Sequence, residues 1–301
     1  MNELGSKLIF LISVPRSGST LLQKVLNSHS DIQTKSEPWI MLHPIYALRQ
    51  GGYSAEYNEK LAFNALRIFL RDLPNREKTY IEGLRLMFSH IYSMALNELN
   101  GKYFLDKTPR YYEIIPELFS IFPEAKFVVL LRNPVAVLNS RVHLLSDQNL
   151  KSLNLYKRDL LNGPKKLLEG IKLIGKKCIV VRYEDFVEQP QVELEKLCTY
   201  LGITYTSTIL NYNSGGTEKW EYGDPKTVYM NSEPNTSYKD RWHESIGKPQ
   251  LWRLYYEYSK ILSNILFEGL GYDSSQIIDI FNKNRPNRFK LLMTKPLNYF
   301  L

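Results

Sequence analysis

Apolar positions along this chain follow two different rhythms. Residues 7–14 (KLIFLISV) form a short apolar run rich in branched side chains, and Leu21, Leu22, Val25 and Leu26 then recur at helical spacing. This pattern predicts a buried parallel strand that feeds a helix through a glycine-containing loop. A second short strand is predicted at 32–36. From Pro38 to about Gly101 the rhythm turns helical, with Ile81, Leu84, Phe88, Ile91, Ala95 and Leu99 three or four residues apart, so a helical insertion over about 38–101 is expected. Strand-like runs return at 103–106 (YFLD), 125–131 (AKFVVLL) and 178–183 (CIVVRY), with helical patterns between them. Alternating strands and crossover helices predict an α/β fold: a three-layer, open parallel sheet within a single domain, 1–301.

The second half is less regular. The stretch 211–247, rich in Gly, Asn, Ser, Thr, Asp and Pro, reads as a long functional loop within a late loop placed at about 205–247. A final helix is predicted over about 249–269, opened by Pro249 and closed by Gly269 and Gly271. The basic and apolar tail 285–301 (RPNRFKLLMTKPLNYFL) is expected to pack on the body, with peripheral contact to an anionic membrane surface as the alternative.

Composition narrows this picture only a little. The 301 residues are 44% hydrophobic and 23% charged, an ordinary globular balance. The net charge of +8 is spread along the chain and interleaved with acids, which suits a small anionic ligand as readily as nucleic acid. Cys178 and Cys198 are too few for a disulfide framework or a zinc site and are expected to be reduced. No window reaches the roughly 18 consecutive apolar residues of a membrane span, and no basic leader precedes the first strand, so a cytoplasmic protein is expected.

Candidate chemistry begins in the first loop, ISVPRSGSTLLQKVL, residues 12–26. Pro15, Arg16, Ser17, Gly18, Ser19 and Thr20 lie between strand and helix, where backbone N–H groups and the positive end of the helix dipole converge on an anion. Gly18 allows backbone to approach a ligand closely, and Ser19 and Thr20 add hydroxyl donors. Magnesium-nucleotide chemistry fits poorly. The Walker pattern requires Gly-Lys late in the loop and a metal-binding Asp at a neighbouring strand end, whereas the strand at 125–131 runs into Arg132 and Asn133. The expected ligand is a polyanion neutralised by protein cations, with no metal.

These residues resemble the sulfotransferases that use 3′-phosphoadenosine-5′-phosphosulfate (PAPS). "RSGST" is similar to the family's loop for the 5′-phosphosulfate, in the branch of bacterial, carbohydrate and tyrosylprotein enzymes. Arg132 and Ser140 in "LLRNPVAVLNSR" resemble the pair that holds the 3′-phosphate. "VRYEDFVEQP" at 181–190, with Tyr183, resembles a third element, and "WEYGDPK" followed by "DRW", with Lys226 and Arg241, is similar to the late loop that covers the cofactor. The resemblance spans most of residues 8–242 and implies a P-loop-like sulfotransferase fold. It also implies roles. Arg16 stands where cytosolic members carry a catalytic Lys, Glu37 in "TKSEPW" matches the general base, and Lys107 in "LDKTPRYY" matches a transition-state cation.

Each assignment competes with a plainer reading. A carboxylate at Glu37 beside Pro38 and Trp39 can take a proton from an alcohol, or it can serve only as a helix-start acid. Lys107 with Asp106 can be a solvated turn pair. His43 and His143 are reserve bases. The expected reaction is sulfuryl transfer from PAPS to a hydroxyl acceptor by in-line displacement, leaving 3′-phosphoadenosine-5′-phosphate (PAP). A carbohydrate acceptor is favoured over a tyrosyl side chain or small metabolite, and no nucleic-acid partner is expected. The alternatives from other classes are a nucleotide kinase and a non-catalytic anion- or RNA-binding protein.

Overall fold

A computed structural model of the chain describes residues 3–145, 150–212, 220, 222–223 and 230–294. Five strands form one parallel sheet: β1 (Leu8–Ser13), β2 (Ile32–Thr34), β3 (Tyr103–Asp106), β4 (Lys126–Leu131) and β5 (Cys178–Arg182), in the order β2-β3-β1-β4-β5. The central strand β1 is buried along its whole length, as its unbroken apolar run requires. It pairs with β3 through Leu8 opposite Phe104 and with β4 through Phe10 opposite Phe127.

The α-helices of eight or more residues are α1 (Ser19–Asn27), α2 (Glu59–Arg71), α3 (Glu77–Leu99), α4 (Pro134–Val142), α5 (Lys157–Ile174), α6 (Pro190–Leu201), α7 (Pro249–Leu262) and α8 (Ser274–Lys283). Alternate β1 side chains face two separate cores, which makes the three layers. Phe10 and Ile12 meet Phe127 and Val129 beneath α3, α4, α5 and α7, while Ile9 and Leu11 meet Val128 and Leu130 beneath α1 and α6. The α/β prediction with an open parallel sheet holds.

Several boundaries differ from the sequence expectation. The strand predicted at 32–36 ends at Thr34, because Gln23 Nε2 of α1 donates to Thr34 Oγ1 and to the Lys35 carbonyl, both at 2.9 Å, and turns the chain out of the sheet. The helical stretch expected over about 38–101 holds one short helix, Leu42–Tyr46, and two long ones, α2 and α3. The helix predicted over 249–269 is broken: α7 stops at Leu262, Ser263 takes φ +70° and ψ 154°, and a second segment runs Asn264–Gly269. Beyond it, α8 and the short helix Arg288–Leu292 occupy chain for which no helix was predicted. The start of the tail packs on the body through Leu291 and the buried Thr294, whose hydroxyl accepts from Arg253; residues 295–301 lie outside the described residues. Among the described residues no helix is long and apolar enough to cross a membrane. Cys178 and Cys198 are both unbridged, and only Cys198 is fully buried.

Phe10 anchors the larger core. Its ring centroid lies 5.6 Å from that of Phe127 and 6.2–6.3 Å from those of Phe122, Tyr92 and Tyr111. Phe10→Ala is expected to cost about 3–5 kcal/mol of stability through the cavity it leaves, read from the midpoint of urea unfolding.

Candidate active site

The carboxyl ends of β1, β3 and β4 open on one cavity of about 620 Å³. Ligands of open α/β sheets bind at this rim because helix N-termini and strand-end side chains meet there. The first loop enters it from β1. Ser17 N–H closes a turn on the Val14 carbonyl at 3.2 Å, and Gly18 follows with φ +93° as the residue before α1. A β-carbon on Gly18 would lie 2.5 Å from Tyr183 Cδ2, so only glycine lets the loop pass beneath that ring. Arg16 also adopts a left-handed backbone, φ +79°. A non-glycine residue held there signals a loop whose shape is fixed by its surroundings.

The second turn, after β4, is held as firmly. Asn133 caps α4 by accepting from Val135 N–H at 2.9 Å, and its own N–H donates to the buried Glu184 at 2.9 Å. Glu184 also accepts from the Tyr272 hydroxyl at 2.8 Å. "VRYEDF" therefore braces both turns: Tyr183 covers Gly18, and the Arg132 guanidinium stacks 4.2 Å from the same ring. Arg132 Nη1 and Nη2 donate to the carbonyls of Arg16 (3.2 Å) and Tyr238 (2.6 Å), while its buried Nε has no partner among the described residues. Arg16 Nε donates to Ser140 Oγ at 3.3 Å, so the first loop and α4 meet across the cavity. Arg16, Gly18, Ser19, Thr20, Arg132 and Ser140 all line it.

A third group sits at the ends of β2 and β3. Lys107 Nζ, with none of its side chain exposed, donates to Glu37 Oε1 at 2.6 Å and to Thr20 Oγ1 at 3.4 Å. Burial pushes the Lys107 ammonium below its usual range, and Glu37 and then Asp106 act against that shift. The other Glu37 oxygen accepts from the Trp39 indole at 3.1 Å. A solvated pair of Lys107 and Asp106 is excluded, since both are buried. Burial holds the Asp106 carboxyl up at about 6 despite hydroxyl donors from Tyr92, Tyr111 and Thr108. Gly223 of the late segment approaches Thr20 and Lys107 from above, and Tyr222 N–H donates to Ser36 Oγ at 3.0 Å.

The remaining candidates divide. Tyr183, Arg241 and His143 line the cavity, whereas His43 is exposed on its short helix and does not. Ser17 is buried beneath the loop. Lys226 lies outside the described residues. Sequence reasoning missed Trp39, Arg110, Arg141 and Tyr156, which also line the cavity. Arg110 stacks 5.5 Å from Trp39 and is paired with Asp159, and Arg141 stacks 3.9 Å from Tyr156. Burial and the nearby Arg16 push the Arg141 guanidinium below its usual range. Only the sequence adjacency of Arg110 to Lys107 and of Arg141 to Ser140 hinted at these two. The arrangement can grip two separated anionic groups and place a carboxylate and an ammonium between β2 and β3.

Comparison with known proteins settles the family. The family model described as "Sulfotransferase family" matches residues 9–207, which contain both turns, Glu37 and Lys107. The chain belongs to the sulfotransferase family. This sulfotransferase is 26% identical over 291 residues to nodulation protein NoeE of Sinorhizobium fredii, covering 88% of this chain and 66% of that protein. It is 25% identical over 210 residues to protein-tyrosine sulfotransferase 2 of Gallus gallus, covering 68% of this chain and 53% of that protein. The chain thus spans about half to two thirds of the length of these relatives. Among solved structures, the sulfotransferase domain from the curacin biosynthetic pathway superposes with a TM-score of 0.57 at 21% identity, covering 88% of this chain and 97% of that one. That likeness shows the sulfotransferase fold.

His143 Nε2 lies 3.2 Å from Ser245 Oγ, and burial followed by Arg241 and Lys248 pushes its imidazole below the usual value. Its ring protons are expected to titrate in the NMR spectrum with a midpoint below about 6.5. Because the unfolded chain then binds more protons, this group makes stability rise with pH across that window.

Proposed function

We propose that this sulfotransferase moves the sulfuryl group of PAPS to the hydroxyl of an acceptor, a carbohydrate in the first reading, with Glu37 as general base. The observation that carries the reading is the meeting of Arg16 with Ser140 across a cavity that is also lined by Glu37, itself paired with the buried Lys107. Two anion grips on one cavity suit a ligand with two separated phosphate groups. The residues fit it well. Gly18 lets the loop pass beneath the Tyr183 ring and so lie along the cavity, and the Arg132 Nε, without a partner among the described residues, is a buried donor in need of an acceptor.

On this reading the Gly18–Thr20 backbone and the Ser19 and Thr20 hydroxyls hold the 5′-phosphosulfate, with Ser17 shaping the loop from beneath, and Arg132 and Ser140 hold the 3′-phosphate. Tyr183 flanks the same ligand. When bound, PAPS supplies the sulfuryl group and departs as PAP. Glu37 takes the acceptor's hydroxyl proton. Its two hydrogen bonds, from Lys107 and the Trp39 indole, fix the carboxylate while leaving lone pairs for that proton. Arg16 and Lys107 meet the charge that grows on the departing phosphate side. Trp39 and Tyr156 also line the cavity, and aromatic surface of this kind suits a sugar. A second reading, with a tyrosyl hydroxyl as acceptor, is favoured by the relatives named protein-tyrosine sulfotransferases.

Two measurements test this. PAP is expected to raise the melting temperature well above ADP, AMP or ATP with magnesium, through linkage to the folded state, and equal shifts would refute the two-phosphate reading. Glu37→Gln should keep the PAP shift and lose about 10²–10⁴-fold in kcat, measured with labelled PAPS against an oligosaccharide, a tyrosine peptide and a simple phenol.

A further inference from the structure

The chain beyond α8 takes no part in the cavity, yet it presents a built outward face. Asn287 caps the short helix Arg288–Leu292 by accepting from Lys290 N–H at 2.8 Å. Past its other end, Arg253 Nη1 donates to the Thr294 carbonyl at 3.3 Å and to the Thr294 hydroxyl at 3.2 Å. Leu291 and the buried Thr294 turn toward the body, where Leu291 packs against the larger core. Phe289, Leu292 and Met293, three and four residues apart, share the opposite face. They are 70%, 74% and 75% exposed. Single exposed apolar side chains are ordinary, but three large ones on one turn of a helix held at both ends mark a contact surface.

Charge says what covers this face. Arg288 and Lys290 flank it, both exposed, and Lys283 and Arg285 are exposed just before the helix. Among the described residues none of these four makes an ion pair. From 280 to 301 the sequence holds Lys283, Arg285, Arg288, Lys290 and Lys295 and no acid, whereas bases and acids are interleaved through the rest of the chain. A second copy of a chain with a net charge of +8 would bring further positive charge against this patch. A bilayer with anionic headgroups offers opposite charge and an apolar boundary together.

We infer that the short helix Arg288–Leu292 is a peripheral membrane contact, which lays Phe289, Leu292 and Met293 into an anionic bilayer surface while Arg288 and Lys290 meet the headgroups. Packing on the body and contact with a membrane are then the work of two opposite faces of one element. A single turn of apolar side chains holds a membrane weakly, and the basic cluster is the second attraction that it needs. Binding therefore depends on salt, which screens exposed charges. The inference does not depend on which acceptor or donor the cavity takes.

The test floats the full-length protein with vesicles of phosphatidylcholine alone, or of phosphatidylcholine with about one-third phosphatidylglycerol. At low salt the protein should rise with the mixed vesicles at least about 10-fold more than with phosphatidylcholine alone, and high salt should release it. The triple variant Phe289→Ser/Leu292→Ser/Met293→Ser keeps every charge, and it should bind mixed vesicles at least about 10-fold less with an unchanged urea-unfolding midpoint. Arg288→Gln/Lys290→Gln, at exposed positions, should weaken binding at least about fivefold. Flotation undiminished in either folded variant would mean that the overall charge binds lipid unaided, and would overturn the inference. So would a protein that stays down with the mixed vesicles, or a dimer in sedimentation velocity that the triple variant abolishes, which would make a second copy the occupant.

Discussion

An ammonium group with no water around it dictates much of this site. Lys107 is buried at the end of β3, so it needs negative charge within hydrogen-bond reach. Glu37 supplies that charge only if the chain leaving β2 turns back across the sheet rim. Gln23 of α1 makes the turn by holding Thr34 and Lys35, and Thr34 Oγ1 donates on to the Leu105 carbonyl at 2.6 Å. Trp39 then accepts a left-handed backbone, φ +56°, which lets its indole reach Glu37 while its N–H reaches Thr108. One buried charge thus fixes the ends of two strands and the entry to the insertion.

The same logic links the other two turns. Tyr183 presses on Gly18 from one side and on the Arg132 guanidinium from the other, and Glu184 beside it holds the β4 turn by its backbone. The loop after β1 and the turn after β4 are therefore set by a single short helix, Tyr183–Glu188, at the end of β5. The relative placement of the two turns does not depend on either loop alone. It depends on the parallel sheet that brings three strand ends to one rim.

Much of this was legible in the chain. The strands were readable because parallel strands buried on both faces leave unbroken apolar runs, and β1 and β4 are of that kind. The two turns that meet at the cavity were readable because each is local, a few residues between strand and helix. What stayed hidden was non-local. The break at Ser263 carries no Gly or Pro to announce it, and α8 begins from an Asp273 cap that looks like any loop aspartate. Trp39, Arg110 and Arg141 acquire meaning only through partners that the fold brings to them: Glu37, Asp159 and Tyr156. Asp106 reads as a turn acid until Tyr92, fourteen positions earlier on α3, is seen to cover it.

The charge balance of the cavity explains why these arginines are stacked rather than merely gathered. Among the described residues its wall carries Arg16, Arg110, Arg132, Arg141 and Arg241 against Glu37 and Glu233, a cation excess enclosed by protein and therefore weakly screened. Such charges repel one another, which is visible in the downward push of Arg16 on Arg141. An aromatic face under the guanidinium offsets part of that repulsion without neutralising it, as Tyr183, Tyr156 and Tyr238 do for Arg132, Arg141 and Arg241. Arg110 has a carboxylate, Asp159, as well as the Trp39 ring. A carboxylate beside each of the other three would hold them just as well, but it would also cancel the field. Three aromatic platforms keep those guanidiniums ordered and still positive, an arrangement that suits an anionic ligand because little freedom is left to lose when one arrives.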